Sequence, residues 1–482
     1  MARLKSAQEL SALDSDLVSA VLEAKRRGQS DAQIAKQMKL SLRQLEQIAI
    51  HAYGLNISNP DRARRIRAWA PQQFQLEGTT VWSFKHRGNW ATHHGQYRGN
   101  WSPYIPRNLI LRYTKPGDLV LDPFVGSGTT AIEAKLLGRR CIARDINPAC
   151  VELTLKSLQF LPPLGLFNSA CYFEPEVSVG DARDLQGIES DTVDLVCAHP
   201  PYAGIISYSA GIAGDLSQLS AEAFVAEMRS VASECYRVLK PGGKCAVLIG
   251  DARKEKHIVP IGFRVIEAFL SAGFLLRELV IKIQHNCKTT GFWYRRSIEH
   301  NFLLLAHEYL PIFEKPERNN QCLLNGDAVK LPCPIVEELG PLEELAEPLK
   351  TSSVWVFPNN AMKRHVAANV LRRYSSRLIS HSEGSQGVAP AEYKAALWQR
   401  AGEVLGSPAC DARFLVVEAQ DFRSNGSVVP AAKLVLDALE SHPRLWLKEI
   451  VVLAPQDLAD ATAADANLAI VHKYLIVYEV IG

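Results

Sequence analysis

The feature that most constrains this chain is a regular alternation between residues 72 and 315. Short, almost wholly apolar runs follow one another, with longer segments of helical periodicity between them. GDLVLDPF leads into a helix predicted over Thr129–Leu137. RRCIARDI ends at Asp145, and Pro148 starts the next helix. GDARDL and TVDLVCAHPPY follow, then a helix around Ala221–Leu239, a turn at Lys240–Gly243 and the run KCAVLIGD. A helix near Ile261–Ser271 and the runs RELVIKI and FLLLAHEYLPIF close the series. Strands that are apolar on both faces and separated by helices pack as a parallel sheet covered on both sides. The expected fold is therefore α/β, a doubly wound and mostly parallel sheet. The last two strands have no helix between them in this reading and are expected to form an antiparallel edge.

Composition narrows the class. Hydrophobic residues make up 47% of 482 and charged residues 22%, so the chain can bury several cores, about two to four domains by length. The formal net charge of +3 gives no global basic character, so any nucleic-acid contact must come from local patches. Ten cysteines include no CxxC pair and no regular spacing, which argues against zinc and against a disulfide framework. Neither a membrane-length apolar run nor the apolar stretch of a signal peptide is present, and a cytoplasmic location is expected.

The flanks read differently. Residues 1–58 are all-helical in pattern, with Leu17, Val18, Val21 and Leu22 on one face. Ser30 or Asp31 caps a helix carrying Ile34, Ala35 and Met38. Ser41 then caps a second helix with Gln44 in the capping-box position, a helix-turn-helix shape that would turn Arg43, Gln44 and Gln47 toward DNA. The bland alternative is a small helical packing domain. Residues 59–78 form a basic linker. Past residue 316 the sequence echoes itself: the stretch from Ala246 to Leu270 aligns without gaps to VVEAQDFRSNGSVVPAAKLVLDALE. Asp251 falls on Asp421, Arg253 on Arg423, and Val259-Pro260 on Val429-Pro430. RELVIKI matches KEIVVLA, and HEYLPIFE matches HKYLIVYE. Residues 317–482 thus read as a degenerate copy of the late part of the central domain (79–316), for target recognition or interaction.

Two strings carry the chemistry. In DPFVGSGTT (Asp122–Thr130), Gly126 and Gly128 allow close backbone approach and dihedrals closed to other residues. The helix that follows offers N–H groups at its start, which suit a carboxylate or phosphate. Asp145 and Asp181 close the next two strands, where acids can meet a ribose or a base. HPPY (His199–Tyr202) ends another strand. Its prolines fix the turn, and Tyr202 offers a flat face for a base.

Together the strings resemble the S-adenosylmethionine-dependent DNA amino-methyltransferases, the cytosine-N4 and adenine-N6 enzymes of restriction-modification type. The resemblance covers about Trp82–Lys315 and implies a Rossmann-like methyltransferase sheet. It implies S-adenosylmethionine contacts from Asn100, Trp101, Asp122, Pro123, Phe124, Gly126, Ser127, Gly128, Thr129, Asp145, Ile146, Asp181 and Ala182. It also implies a catalytic turn of His199, Pro200, Pro201 and Tyr202. The family usually has Asp, Asn or Ser at the position of His199, whose neutral imidazole still keeps one acceptor nitrogen. RGNWSP (Arg98–Pro103) resembles the family's segment beside the cofactor, with a helix starting over Pro106–Ile110. His86, His93 and His94 have no accompanying carboxylate in the sequence and read as polar loop residues, so no metal is expected.

The basic-aromatic patches are His285, Lys288, Arg295 and Arg296 with Phe292, Trp293 and Tyr294, and a second one at Lys254, Lys256 and His257. Lys254, Lys288, Arg295, Arg296 and Arg43 are the expected DNA contacts. The implied function is methylation of an exocyclic base amine in double-stranded DNA, with a cognate restriction endonuclease as the partner such systems carry. The alternatives are a guanine-N2 RNA methyltransferase and a non-catalytic DNA-binding subunit.

Overall fold

The computed structural model describes residues 66–481 except 96, 98, 163–171, 203–211, 286–289, 318–329, 340–348, 375–376, 382–386, 407–412 and 458–466. Before residue 66 it describes 17, 20, 21, 23, 24, 29 and 31–40. The second helix of the expected helix-turn-helix, with Ser41, Arg43, Gln44 and Gln47, lies outside the described residues, as do Arg98, Lys288 and the AGIISYS stretch after Tyr202.

In chain order the elements begin with α1 (Asp31–Gln37), β1 (Val81–Ser83), α2 (Tyr104–Tyr113), β2 (Leu119–Asp122), α3 (Thr129–Leu136), β3 (Arg140–Asp145), α4 (Pro148–Ser157), β4 (Glu176–Val179) and β5 (Val193–Ala198). Then come α5 (Ala221–Val238), β6 (Leu239–Val247), the hairpin β7 (Ala252–Lys254) and β8 (His257–Val259), α6 (Ile261–Ser271), β9 (Leu275–Ile283), α7 (Thr290–Glu299) and β10 (His307–Glu314). The last stretch holds β11 (Pro334–Glu338), β12 (Val354–Phe357), α8 (Met362–Arg373), β13 (Arg377–His381), α9 (Pro390–Gly406) and β14 (Phe414–Ala419). It ends with the hairpin β15 (Phe422–Ser424) and β16 (Ser427–Val429), α10 (Ala431–Leu439), β17 (Leu445–Pro455) and β18 (Lys473–Val480).

These elements fall into two compact units. One takes the chain up to Phe74, Arg87–Gln186 and Cys197–Glu227; the other takes Gln75–His86, Gly187–Val196 and Met228–Gly482. Each gathers segments distant in sequence, unlike the linear succession 1–58, 59–78, 79–316 and 317–482.

In the first unit β2, β3 and β4 pair in parallel, with Asp122 opposite Ala143 and Asp145 opposite Val179. α3 and α4 supply the crossovers, since parallel neighbours cannot be joined by a tight turn. This register brings Asp122, Asp145 and Asp181 to the same carboxyl end of the sheet, where α/β sheets hold ligands. α3 begins at the glycine loop, where Gly126 has φ +54 and Gly128 φ +88, a left-handed conformation that a side chain disfavours. α4 is capped by Asn147, whose side chain accepts from Ala149 N, with Pro148 at its first position. Near the N-terminus, Val21, Ala24, Ile34 and Ala35 form a small buried cluster.

In the second unit two mixed strand arrangements share a plan. One runs β6-β10-β9-β1, with β10 antiparallel to β6 and β9 and β1 parallel to β9. The other runs β11-β13-β14-β18-β17-β12, with β18 antiparallel to β14 and β17 and β12 parallel to β17. The segments that align in sequence thus form the same elements in the same order. The match reaches further than the sequence suggested. β1, in TTVWSF, corresponds to β12, in SSVWVF, and Trp82 and Trp355 each donate from the indole to a backbone carbonyl three residues back.

Three details differ from expectation. The antiparallel strand is β10, which lies inside its sheet, while the neighbouring edge is β1. A helix, α7, does separate β9 from β10, so antiparallel pairing here rests on strand direction and not on a short connection. The residues Lys240–Gly243 do not precede the strand but lie within β6, where Gly242, with φ +79, donates to Lys315 O.

Candidate active site

The site grows out of the loop between β2 and α3. Asp122 is buried and accepts from Phe124 N at 3.0 Å, which folds the loop back over the strand end. Burial raises its carboxyl to about 7. Asp145, at the end of β3, accepts from Gly126 N and Asn147 N at 2.9 Å each. Burial lifts it to about 6, because the two amides offset the loss of water only in part. Neither glycine has room for a side chain: a Cβ at Gly126 would meet the Tyr97 ring at 3.0 Å, and one at Gly128 would meet Thr154 at 3.0 Å.

The RGNWSP segment is tied to this loop by its asparagine. Asn100 Nδ2 donates to Ser127 Oγ, and Thr129 Oγ1 donates to Asn100 Oδ1. Beneath, Glu133 on α3 is fully buried and accepts from Trp90 Nε1 at 2.6 Å, His93 Nε2 at 2.7 Å and Arg107 Nη1 at 2.8 Å. Burial opposes its charge, but these donors outweigh that and hold its carboxyl below the ordinary value. Burial also lowers His93. The reading of His93 as a polar loop residue without a carboxylate is therefore overturned. Its carboxylate comes from forty residues away, and the histidine is a buried link between the segment and α3.

One cavity collects most of the expected residues. Asn100, Trp101, Pro123, Phe124, Gly126, Ser127, Asp145, Ile146, Asp181, Ala182, His199 and Pro201 all line it. Asp122, Gly128 and Thr129 stand behind it and shape the loop. Pro200 is buried, and Tyr202 sits beside His199 with its hydroxyl 3.4 Å from His199 Nε2. The His199 ring stacks on Trp101, with centroids 5.5 Å apart and planes at 22°, and meets Tyr202 edge-on. Asp181 is gripped by Arg183, whose Nη2 lies 2.6 Å from Oδ2; burial pulls its carboxyl upward, but the arginine's hydrogen bonds and charge prevail and hold it low. Sequence reasoning missed Tyr97, Asn147, Cys150, Gly214 and Asp215 in the lining. Asn147 was readable, as a cap two residues past Asp145 and just before a proline. Nothing in the sequence marks Tyr97, Cys150 or Asp215.

Lys254, Arg295 and Arg296 are exposed residues of the second unit. Two neighbours expected in the same patches are not free surface groups. His257 is buried, stacks on Trp446 at 3.8 Å and bonds Glu479, while His285 Nε2 lies 2.9 Å from Ser83 Oγ. Among the described residues no group of three or more His, Cys, Asp or Glu could hold a metal ion, and no helix is long and apolar enough to cross a membrane.

A parallel sheet whose acid-tipped strand ends surround a glycine loop, with an aromatic-ended proline turn in the same cavity, defines a methyltransferase-type α/β enzyme. The family model described as DNA methylase, for N6 and N4 methylation, matches residues 24–156 and 193–387, well over half of the chain. The chain belongs to this DNA methylase family. A tRNA (guanine(10)-N2)-dimethyltransferase of Methanothermobacter thermautotrophicus is 40% identical over 116 residues, 24% of this chain and 31% of its own length. The Type II methyltransferase M2.DpnII of Streptococcus pneumoniae is 48% identical over 56 residues, 12% of this chain and 21% of its own. The Type II methyltransferase M1.MboII of Moraxella bovis is 59% identical over 51 residues, 10% of this chain and 20% of its own. The chain thus spans a fifth to a third of the length of these curated relatives. A solved structure of a SAM-dependent methyltransferase from Methanosarcina mazei aligns with 44% of this chain and 98% of its own, at 15% identity and a TM-score of 0.31.

The family's cofactor is S-adenosylmethionine, and the residues present fit it. Gly126 and Ser127 line the cavity just before α3, and Asp145 is a half-buried carboxylate, held by two amides, that also lines it.

Proposed function

We propose that this protein methylates an exocyclic amino nitrogen, cytosine N4 or adenine N6, of a base flipped out of double-stranded DNA. The observation that carries this reading is that His199 and Pro201 line the same cavity as the glycine loop, Asp145 and Asp181. Two relatives named as Type II methyltransferases support it.

When bound, the cofactor supplies an electrophilic methyl group. The chain's residues do the rest. Gly126, Ser127 and the start of α3 hold the amino-acid end, Asp145 takes the ribose hydroxyls, and Asp181, oriented by Arg183, accepts from the adenine amine. An exocyclic amine is a poor nucleophile, because its lone pair is delocalised into the ring. His199, neutral, accepts one amino hydrogen, and the Pro200 carbonyl accepts the other. Together they bend the nitrogen toward tetrahedral geometry and aim its lone pair, so positioning supplies most of the rate. The imidazole nitrogen that accepts the hydrogen bond is also placed to take the surplus proton. Tyr202 stacks on the extruded base. Lys254, Arg295 and Arg296 contribute phosphate contacts. A cytoplasmic location and a cognate endonuclease belong to the same proposal.

A second reading, methylation of guanine N2 in tRNA, is favoured by the relative matched over 116 residues. Labelled S-adenosylmethionine offered with duplex DNA and with tRNA, followed by mass spectrometry of the digested nucleosides, separates them. N4-methylcytosine or N6-methyladenine from the duplex is the expected result. Label in tRNA alone overturns the DNA reading, and cofactor binding without label anywhere overturns the enzyme.

A further inference from the structure

Within the second unit, the segment up to residue 317 (the front half) meets the segment from 330 onward (the back half) through contacts that occur twice with the partners exchanged. Arg253 of the front half pairs with Glu449 of the back, Nη2 to Oε2 at 2.6 Å. Its counterpart Arg423 pairs with Glu278, the counterpart of Glu449. Glu449 also accepts from Leu303 N at 3.0 Å, and Glu278 from Leu468 N at 3.1 Å. The two arginines donate to the carbonyls of the same two leucines, each at 2.8 Å.

Around this lies a second exchanged set. His307 Nδ1 lies 2.9 Å from Ser353 Oγ, and His472 Nδ1 lies 2.8 Å from Thr80 Oγ1. Each histidine's Nε2 meets the tyrosine two residues on, and each tyrosine donates to the aspartate of its own half, Tyr309 to Asp251 at 3.1 Å and Tyr474 to Asp421 at 3.2 Å. The backbone repeats the exchange: Thr80 N donates to Ala469 O at 2.9 Å, and Ser353 N to Leu304 O at 2.8 Å.

A contact in which i meets j and j meets i is the signature of an isologous interface, one surface pairing with itself across a two-fold axis. Two repeats that merely pack side by side have no reason to exchange partners so consistently. The front surface is also self-complementary in its own right, since it carries both Arg253 and Glu278, and both His307 and Thr80.

We propose that the back half is a fused second copy standing where a homodimer partner would stand, and that it occupies the front half's self-association surface and keeps the full chain monomeric. The direction of drift agrees. In the front half Asp251 Oδ1 accepts from Gly262 N at 2.9 Å, and a Cβ at Gly262 would come within 2.3 Å of the Tyr309 ring. The back half has Ala432 there, and among the described residues Asp421 Oδ1 has no hydrogen-bond partner. The copy keeps the exchanged contacts and has lost an internal one. This inference is independent of which nucleic acid is methylated.

Light scattering of the full chain tests it. The wild type is expected at the mass of one chain, 53.3 kDa, across the micromolar range. The double variant Arg423→Glu/Glu449→Arg sets like charges against Arg253 and Glu278 within a chain, while each front surface still matches the front surface of another chain. Its mass is expected to double with rising concentration. Adding Arg253→Glu and Glu278→Arg should return it to one chain. A dimeric wild type, a double variant that stays at one chain mass or only aggregates, or a quadruple variant that does not recover, overturns the proposal.

Discussion

The two strand arrangements of the second unit make an instructive pair. β6-β10-β9-β1 and β14-β18-β17-β12 share order, direction and even their tryptophan anchors, yet only the first belongs to a chain segment that also carries a glycine loop and an HPPY turn. What has persisted in both is the material of the mutual contact, arginine, glutamate and histidine at matching places, and the tyrosine and aspartate that back each histidine within its own half. Where ligand chemistry is needed, the sequence of one copy is constrained by the cavity. Where only a fit to the other copy is needed, the exchanged polar contacts are constrained and the rest is free to change.

The largest expected effect breaks the comparison on the side of the site. Glu133→Ala strands Trp90, His93 and Arg107 without their shared acceptor in a fully buried position. It should cost about 3–5 kcal/mol in urea unfolding, the range for a broken buried ion pair. Next come Glu449→Ala and Glu278→Ala, which remove the exchanged carboxylates. Each should cost about 3 kcal/mol, and the two costs should agree within error while the methylation rate of the folded fraction stays unchanged. Unequal costs would show that the two contacts are alike in geometry only. His199→Ala, which has no counterpart in the back half, should lower kcat about 100-fold with unchanged cofactor affinity by calorimetry. The smallest effect is one of pH. Burial raises Asp145 to about 6, so it is ionised above that pH and protonated below it. Cofactor affinity should then fall as pH drops below about 6, by up to tenfold per unit, and Asp145→Asn should flatten the profile.

Much of this was readable in the chain. The glycine loop, Asp145, Asp181 and HPPY each sit at a strand end that apolar periodicity locates, and one register carries all the acids to one side. Asn147 is readable for the same local reason, as a helix cap. Contacts made across long gaps were not readable. The Glu133 link to His93 spans forty residues, and the Arg253–Glu449 pair spans nearly two hundred. No local pattern marks either, because the partners become neighbours only when separate elements pack. His257 shows the same limit: beside two lysines it reads as part of a basic patch, whereas Trp446 and Glu479, far along the chain, bury it. The LKPGG stretch misled in the other direction: it reads as a turn ahead of a strand, yet it lies within β6, where Gly242 and Gly243 exchange backbone hydrogen bonds with Lys315.

The stack of His199 on Trp101 has an optical consequence. A protonated imidazole quenches indole emission and a neutral one does so far less. One of the eight tryptophans in this chain is therefore a built-in gauge of the charge on His199. The difference in emission between the wild type and Trp101→Phe, followed against pH, would trace where the imidazole loses its acceptor lone pair. The same signal, followed on mixing with duplex DNA, would time the arrival of a base at the stack.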